Sequence, residues 1–214
     1  MSSEVVAKPR LGVLISGRGS NLQAIIDATR DGRITGELAV VISNQANAPG
    51  LERAKEAGIG VAVLDHRRKR REDYDEELVR ELKRRAVTLV CLAGFMRLLG
   101  SRFIDAFPDA ILNIHPSLLP AFPGINAPYQ AWEHGVKWTG VTVHLVTAEL
   151  DGGPIVAQEP VPVKDDDDAE TLAARILEKE HHLYPVAIQL LLSGDWMLSG
   201  RRVVPKRLRE PFRP

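Results

Sequence analysis

The 214-residue chain has a single cysteine, Cys91, and no excess of either charge, with 28 Lys and Arg against 28 Asp and Glu. One cysteine excludes an intrachain disulfide framework and any multi-cysteine zinc or iron–sulfur centre, and it points to a reducing compartment. Charge neutrality excludes a general nucleic-acid or membrane-surface binder, because such proteins carry a basic excess that releases counterions on binding. Long apolar runs are lacking too. The start, Met1 to Arg10 (MSSEVVAKPR), is short and polar, unlike a signal peptide, and Leu89 to Ala93 and Ala187 to Leu192 are too short to span a bilayer. A cytoplasmic protein is expected. What remains is an ordinary globular composition, 44% hydrophobic and 26% charged, with length enough for one largish domain and its core.

The first half alternates short apolar strands with amphipathic helices. Strands are expected at Leu11–Ile15, Leu38–Ile42, Val61–Leu64 and Val87–Ala93, with helices at Asn21–Thr29, Pro49–Ala57 and Arg71–Arg85. Such alternation implies a parallel sheet with right-handed crossovers. After Gly94 the pattern changes. Ala110 to Leu112 leads into Asn113-Ile114-His115-Pro116, then a loop with prolines at 116, 120, 123 and 128, too rigid and donor-poor for regular structure. Trp138–Val146 and Pro154–Val163 alternate as antiparallel strands do. Asp168–Leu192 reads as a long helix interrupted near Pro185, and Gly200–Pro214, with six Lys/Arg against one Glu, as a surface arm. The expected division is an N-terminal extension over 1–10, a domain over 11–195 with halves 11–93 and 94–195, and a basic tail over 196–214.

The turn Ser16-Gly17-Arg18-Gly19-Ser20-Asn21 follows the first strand, at the carboxyl end where open α/β sheets bind ligands. A dinucleotide fingerprint fails because Leu22 stands three after Gly19, and a P-loop fails for want of Gly-Lys-Ser/Thr. Two readings stay open: a cradle for one phosphate group, or a tight turn capped by Ser20 or Asn21. Asn113 and His115, two apart on extended chain, face the same side. An amide donor for a developing oxyanion beside an imidazole able to carry a proton is what acyl transfer requires, although a histidine satisfied by local hydrogen bonds is the plainer account. Asp151, in Leu150-Asp151-Gly152-Gly153-Pro154, is turn chemistry unless it pairs with His115, in which case it would orient the ring and favour its charged form.

Glu180 lies near the edge of the inward helix face, where an acid either reaches water or meets a cationic ligand group. The basic run Arg67 to Arg71, balanced by five acids from Glu72 to Glu77, reads as a solvated helix start. Asp165 to Asp168 reads as a helix cap, since four consecutive acids cannot all face one ion. Met96 to Leu99 could be core.

Taken together, Ile15-Ser16-Gly17-Arg18-Gly19-Ser20-Asn21-Leu22-Gln23, Leu92-Ala93-Gly94-Phe95-Met96-Arg97, Asn113-Ile114-His115-Pro116-Ser117-Leu118-Leu119-Pro120 and Leu150-Asp151-Gly152-Gly153-Pro154 closely resemble phosphoribosylglycinamide formyltransferase, the folate-dependent family of purine synthesis. The resemblance runs from about residue 10 to about residue 195. It implies an α/β, Rossmann-like formyltransferase fold: a mostly parallel sheet flanked by helices, with a C-terminal antiparallel strand pair and long helix. The implied reaction moves a formyl group from 10-formyltetrahydrofolate to the amine of glycinamide ribonucleotide. It implies no metal, no nucleic acid and no membrane, and a monomer or homodimer.

Carried over by position, the resemblance puts Asn113, His115 and Asp151 in the chemistry, and Gly19, Ser20, Asn21 and Glu180 on the ribonucleotide. Arg71, Met96, Arg97, Leu98, Leu99, Asn113, Thr147, Ala148, Glu149, Leu150 and Asp151 fall on the folate side. Two positions depart from the pattern. Ile125-Asn126-Ala127-Pro128-Tyr129 stands where many members carry a histidine after Pro-Gly, and Ala148 stands where an acid often precedes the catalytic aspartate. Methionyl-tRNA formyltransferase is similar through Asn-x-His and Asp, but carries an additional C-terminal domain for which this chain is expected to be too short. Formyltetrahydrofolate deformylase shares the triad, usually behind an N-terminal regulatory domain for which no room is expected before Leu11. A non-catalytic sensor of phosphorylated ligands is the alternative outside enzymology.

Overall fold

A computed structural model describes residues 8–206 of the chain. The alternating half runs β1 (Arg10–Ile15), α1 (Ser20–Arg30), β2 (Glu37–Ser43), α2 (Gly50–Glu56), β3 (Val61–Val63), α3 (Arg71–Arg84), β4 (Leu89–Leu92), α4 (Ser101–Ala106) and β5 (Ile111–His115). There follow α5 (Ala127–Glu133), β6 (Trp138–Leu145), β7 (Ile155–Pro162), α6 (Ala169–Ser193), β8 (Trp196–Ser199) and β9 (Arg202–Pro205). All the strands form one sheet in the order β3-β2-β1-β4-β5-β6-β7-β9-β8. The first five are parallel, and β6 and β7 continue the sheet antiparallel.

The parallel strands are apolar on both sides because helices cover both faces. Leu11, Val13 and Ile15 point to the layer of α1 and α6, packing with Leu22, Ile25, Ile176 and Leu183. Leu14, Val40 and Ile42 point the other way, onto Leu78 and Leu82 of α3 and Phe103 of α4. β1 lies between β2 and β4, so the connections leave it in opposite directions, and the turn after it sits at the switch point of the sheet. Ser16 stitches this crest together: its N–H donates to the Gly94 carbonyl at 3.1 Å, and its hydroxyl accepts from the Met96 N–H at 2.8 Å.

Four expectations need correction. The helix expected to break near Pro185 is continuous from Ala169 to Ser193. Proline removes one donor there, but the buried stripe of Leu172, Ile176, Leu183, Ala187, Ile188 and Leu191 holds the helix to the sheet. Its start is a reciprocal cap between Asp168 and Thr171, as the acidic run suggests. The proline-rich stretch is not all loop, since Pro128 falls in the first turn of α5, where its missing N–H has no partner to lose. The six-residue α4 was not anticipated. The tail is not simply an arm: β8 and β9 form a hairpin across Ser199 and Arg202, and β9 joins the sheet beside β7 at Ile155. Of the two terminal segments, residues 1–7 and 207–214 lie outside the described residues.

Candidate active site

β5 and β6 run antiparallel with Asn113 opposite His144 and His115 opposite Thr142. Cross-strand partners share a face, so one amide and two imidazoles stand together on the face turned away from α6. Asn113 Nδ2 lies 3.1 Å from His144 Nε2, and His144 Nδ1 lies 3.0 Å from the Leu145 carbonyl. A proton on Nδ1 leaves Nε2 to accept from the amide, which fixes the orientation of Asn113. His144 was not singled out in the sequence; only the strand register reveals it.

Asp151 comes to this face from the turn after β6. Its φ of +51° is left-handed, a conformation that aspartate tolerates better than most residues. The carboxylate is almost entirely buried: Oδ2 accepts the Gly124 N–H at 2.7 Å and lies 3.5 Å from His115 Nδ1, while Oδ1 lies 3.6 Å from His144 Nε2. Burial pushes the Asp151 carboxyl up, but His144, the Gly124 N–H and the His115 charge together outweigh burial and hold it below the usual range. The opposite nitrogen of His115 is 2.9 Å from the Phe122 carbonyl, so the ring is fixed at both ends.

Asn113, His144 and Asp151 close the inner end of a cavity of ≈ 230 Å³. Arg71, Leu92, Arg97, Leu98, Leu99, Val146 and the whole Thr147–Asp151 segment line the rest. Met96 is set apart from the other folate candidates, 70% exposed and lining a groove on the far side of Arg97. The lip of the cavity is tied to α3 twice. Arg71 donates to the Leu99 carbonyl, and the buried Asp75 accepts the Gly100 N–H at 2.8 Å. Desolvation raises the Asp75 carboxyl above its ordinary value. A larger concavity of ≈ 710 Å³ beside Thr35 and Leu38 lies at the opposite end of the sheet and gathers none of these groups.

A second cluster forms where α1 meets α6. Gly19 has φ +71°, and a Cβ on it would stand 2.7 Å from Gly50 Cα, so the turn tolerates only glycine there. No side chain caps α1, which leaves the turn reading without its cap. Asn21 instead donates from Nδ2 to Glu180 Oε2 at 2.6 Å. Glu180 is 7% exposed with that amide as its partner, and burial pushes its carboxyl up to about 7 against the smaller pull of Asn21. One turn further along α6, the Tyr184 hydroxyl lies 2.9 Å from the Leu92 carbonyl and 3.1 Å from that of Leu112, the residue before Asn113. The two clusters are therefore built at the ends of β1 and β5, with β4 between them, and braced by one helix.

The basic run is what it promised to be. Lys69, Arg70 and Arg67 pair with Glu77, Asp73 and Asp65 at the surface. Among the described residues no group of acids, histidines or cysteine has the arrangement to hold a metal ion, and no helix is long and apolar enough to cross a membrane.

Comparison with known proteins agrees with this geometry. Residues 9–188 match the family described as formyl transferase. The chain is 47% identical over 193 residues to the human trifunctional purine biosynthetic protein adenosine-3, covering 90% of this chain but only 19% of that much longer protein. It is 46% identical over 203 residues to phosphoribosylglycinamide formyltransferase of Escherichia coli, covering 91% of this chain and 95% of that one. The crystal structure of glycinamide ribonucleotide transformylase 1 from Symbiobacterium toebii superposes with a TM-score of 0.91 at 53% identity, over 92% of this chain and 94% of that one. The likeness in sequence and fold runs along nearly the whole length: the chain belongs to the phosphoribosylglycinamide formyltransferase family.

Proposed function

We propose that the protein transfers the formyl group of 10-formyltetrahydrofolate to the amine of glycinamide ribonucleotide, a step of purine synthesis. The observation that carries this reading is the convergence of Asn113, His144 and Asp151 at one end of the cavity, with His115 beside Asp151, in a chain of this family. The folate lies between Leu92, Leu99 and the Thr147–Asp151 segment, its carboxylates towards Arg71 and Arg97 and its formyl carbon towards Asn113. The ribonucleotide phosphate sits on the N–H groups of Gly19, Ser20 and Asn21, where a helix N-terminus favours an anion. Its ammonium meets Glu180.

The ammonium first releases one proton to solvent; the free amine then attacks the formyl carbon, and a C–N bond forms as the carbonyl oxygen becomes an oxyanion. Asn113 Nδ2 donates to that oxygen, and His115, released from the Phe122 carbonyl, donates to it from Nε2 while Asp151 holds the ring at Nδ1. Collapse breaks the bond from the formyl carbon to the folate nitrogen. The second proton, lost by the attacking nitrogen once the C–N bond has formed, ends on that folate nitrogen, passed through water held beside Asp151. The products are formylglycinamide ribonucleotide and tetrahydrofolate.

Mixing the purified protein with both substrates tests this, with folate followed by absorbance and nucleotide by mass. Formylated nucleotide appearing in step with tetrahydrofolate is expected. Tetrahydrofolate released without formylated nucleotide would replace the transferase with a deformylase, and binding without turnover would leave a sensor.

A further inference from the structure

The segment that joins β6 to β7 forms one wall of the cavity closed by Asn113 and Asp151, yet most of it is thinly held. Asp151 has partners of its own in the Gly124 N–H and two histidines. The rest leans on itself: the Gly152 N–H donates to the Glu149 carbonyl at 3.2 Å, and the Thr147 hydroxyl donates to the same carbonyl at 3.5 Å. Gly153 passes so close to Leu145 that a Cβ on it would stand 1.8 Å from the Leu145 carbonyl oxygen, so the turn must keep a glycine and the backbone freedom that comes with it. Among the described residues, Thr147–Leu150 and Gly152 make polar contact with another part of the molecule through Arg201 alone. Its guanidinium donates to the Gly152 carbonyl at 2.5 Å and lies 3.8 Å from Glu149 Oε2.

Arg201 stands in the turn of the β8–β9 hairpin, and that hairpin is anchored elsewhere. Trp196 Nε1 donates to the Leu191 carbonyl at 2.9 Å, near the end of α6, while Trp196, Leu198 and Val203 pack on the core. β9 is joined to β7, where the Arg201 carbonyl accepts the Ile155 N–H at 3.4 Å. A braced hairpin therefore carries a forked donor to a segment short of ties. The charges that act on the Asp151 carboxyl are those of the two histidines and not that of Arg201, so Arg201 works through geometry.

We propose that Arg201 is a positioning residue for the folate: from the C-terminal hairpin it holds the Thr147–Leu150 wall and the Gly152 turn at the spacing the bound folate needs. The inference rests on the folate reading of the cavity. Because Asp151 is fixed separately, the effect falls on folate binding and not on the chemical step.

The test compares Arg201→Ala, Arg201→Lys and Arg202→Ala, the last an exposed neighbour in the same hairpin, by steady-state kinetics, thermal melts and amide hydrogen exchange. Arg201→Ala should raise the KM for 10-formyltetrahydrofolate by roughly three- to tenfold, the range for one hydrogen bond from a charged donor, and leave kcat and the ribonucleotide KM unchanged. Its melting temperature should match the wild type, since the side chain is largely exposed. Arg201→Lys, which keeps a donor, should recover part of the loss, and Arg202→Ala should behave as the wild type. In ligand-free Arg201→Ala protein the amides of residues 147–153 should exchange faster, with those of β5 unaltered. An Arg201→Ala variant with the wild-type folate KM, or one whose two KM values and melting temperature shift together, would overturn the proposal and leave the transferase standing. If the wild type neither binds nor turns over the folate, the reading of the cavity falls, and the role of Arg201 falls with it.

Discussion

Two buried carboxylates in this site are tuned in opposite directions. Asp151 is met by the Gly124 N–H and two imidazoles, and its carboxyl is held down although burial opposes this. Glu180, as well buried, has one neutral amide from Asn21, and its carboxyl rises to about 7. Burial is common to both, so the partners decide. A carboxylate surrounded by donors and cations is fixed as a charge, suited to hold a proton donor; one left short of partners is poised to be completed by a ligand that brings its own positive charge.

The comparison breaks most visibly at Asp151. Asp151→Asn keeps the shape but removes the charge facing both histidines, and kcat should fall by about 10²–10³-fold with folding intact, as loss of a preorganised charge in an active site typically does. His115→Ala should lose about as much. Steady-state rates alongside a thermal melt separate chemistry from stability.

Glu180→Gln sharpens the contrast because activity and stability should move apart. The folded carboxyl lies above its unfolded value, so the native state keeps a proton that the unfolded state has lost, and stability declines as pH rises from about 4.5 to about 7. Removing the acid should therefore stabilise the protein by about 2–3 kcal/mol at about pH 8 and by almost nothing near pH 4. The KM for the ribonucleotide should meanwhile rise by roughly tenfold at the higher pH, where the lost ion pair counts most. Urea melts at the two pH values check the first part, and initial rates the second. For Asp151 the sign reverses, its contribution being present above its unfolded value and lost as pH falls through the folded one.

Much of the fold can be read from the sequence because the parallel half is covered on both faces, leaving short apolar runs punctuated by helices and glycine. Gly19, Asn21, Asn113, His115 and Asp151 stand out in turns or near strand ends, but the residues alone leave a plain structural account open for each, and their roles come from the family resemblance. What stays hidden depends on pairing across the chain. His144 is one more residue in an alternating strand until β6 is set against β5 and brings it opposite Asn113. The β8–β9 hairpin is concealed because counting charges over the whole of 200–214 dilutes Val203, which packs on the core, and its neighbour Val204. In α5 and α6, Pro128 and Pro185 read as breakers, yet one occupies a first turn and the other is overridden by tertiary burial.

Smaller effects probe how the neighbours are held. His144→Phe removes the acceptor that orients the Asn113 amide and a partner of Asp151, and kcat should fall by roughly tenfold, the cost usual for a group that positions a functional side chain. Asp75→Asn should act on folate alone, raising its KM by about three- to tenfold with little change in kcat, because the Gly100 hydrogen bond holds the cavity lip and touches no reacting atom. Gly100→Ala, whose Cβ would press on the same Asp75 oxygen at 2.5 Å, should mimic it.

The most direct test of the opposed tuning is a carbon-13 titration of the side-chain carboxyls in protein labelled at Asp and Glu, with the two resonances assigned through Asp151→Asn and Glu180→Gln. The account predicts that Glu180 titrates near 7 and that Asp151 stays ionised to below the usual aspartate range. Glu180 titrating as an ordinary surface glutamate, or Asp151 titrating above it, would contradict the account.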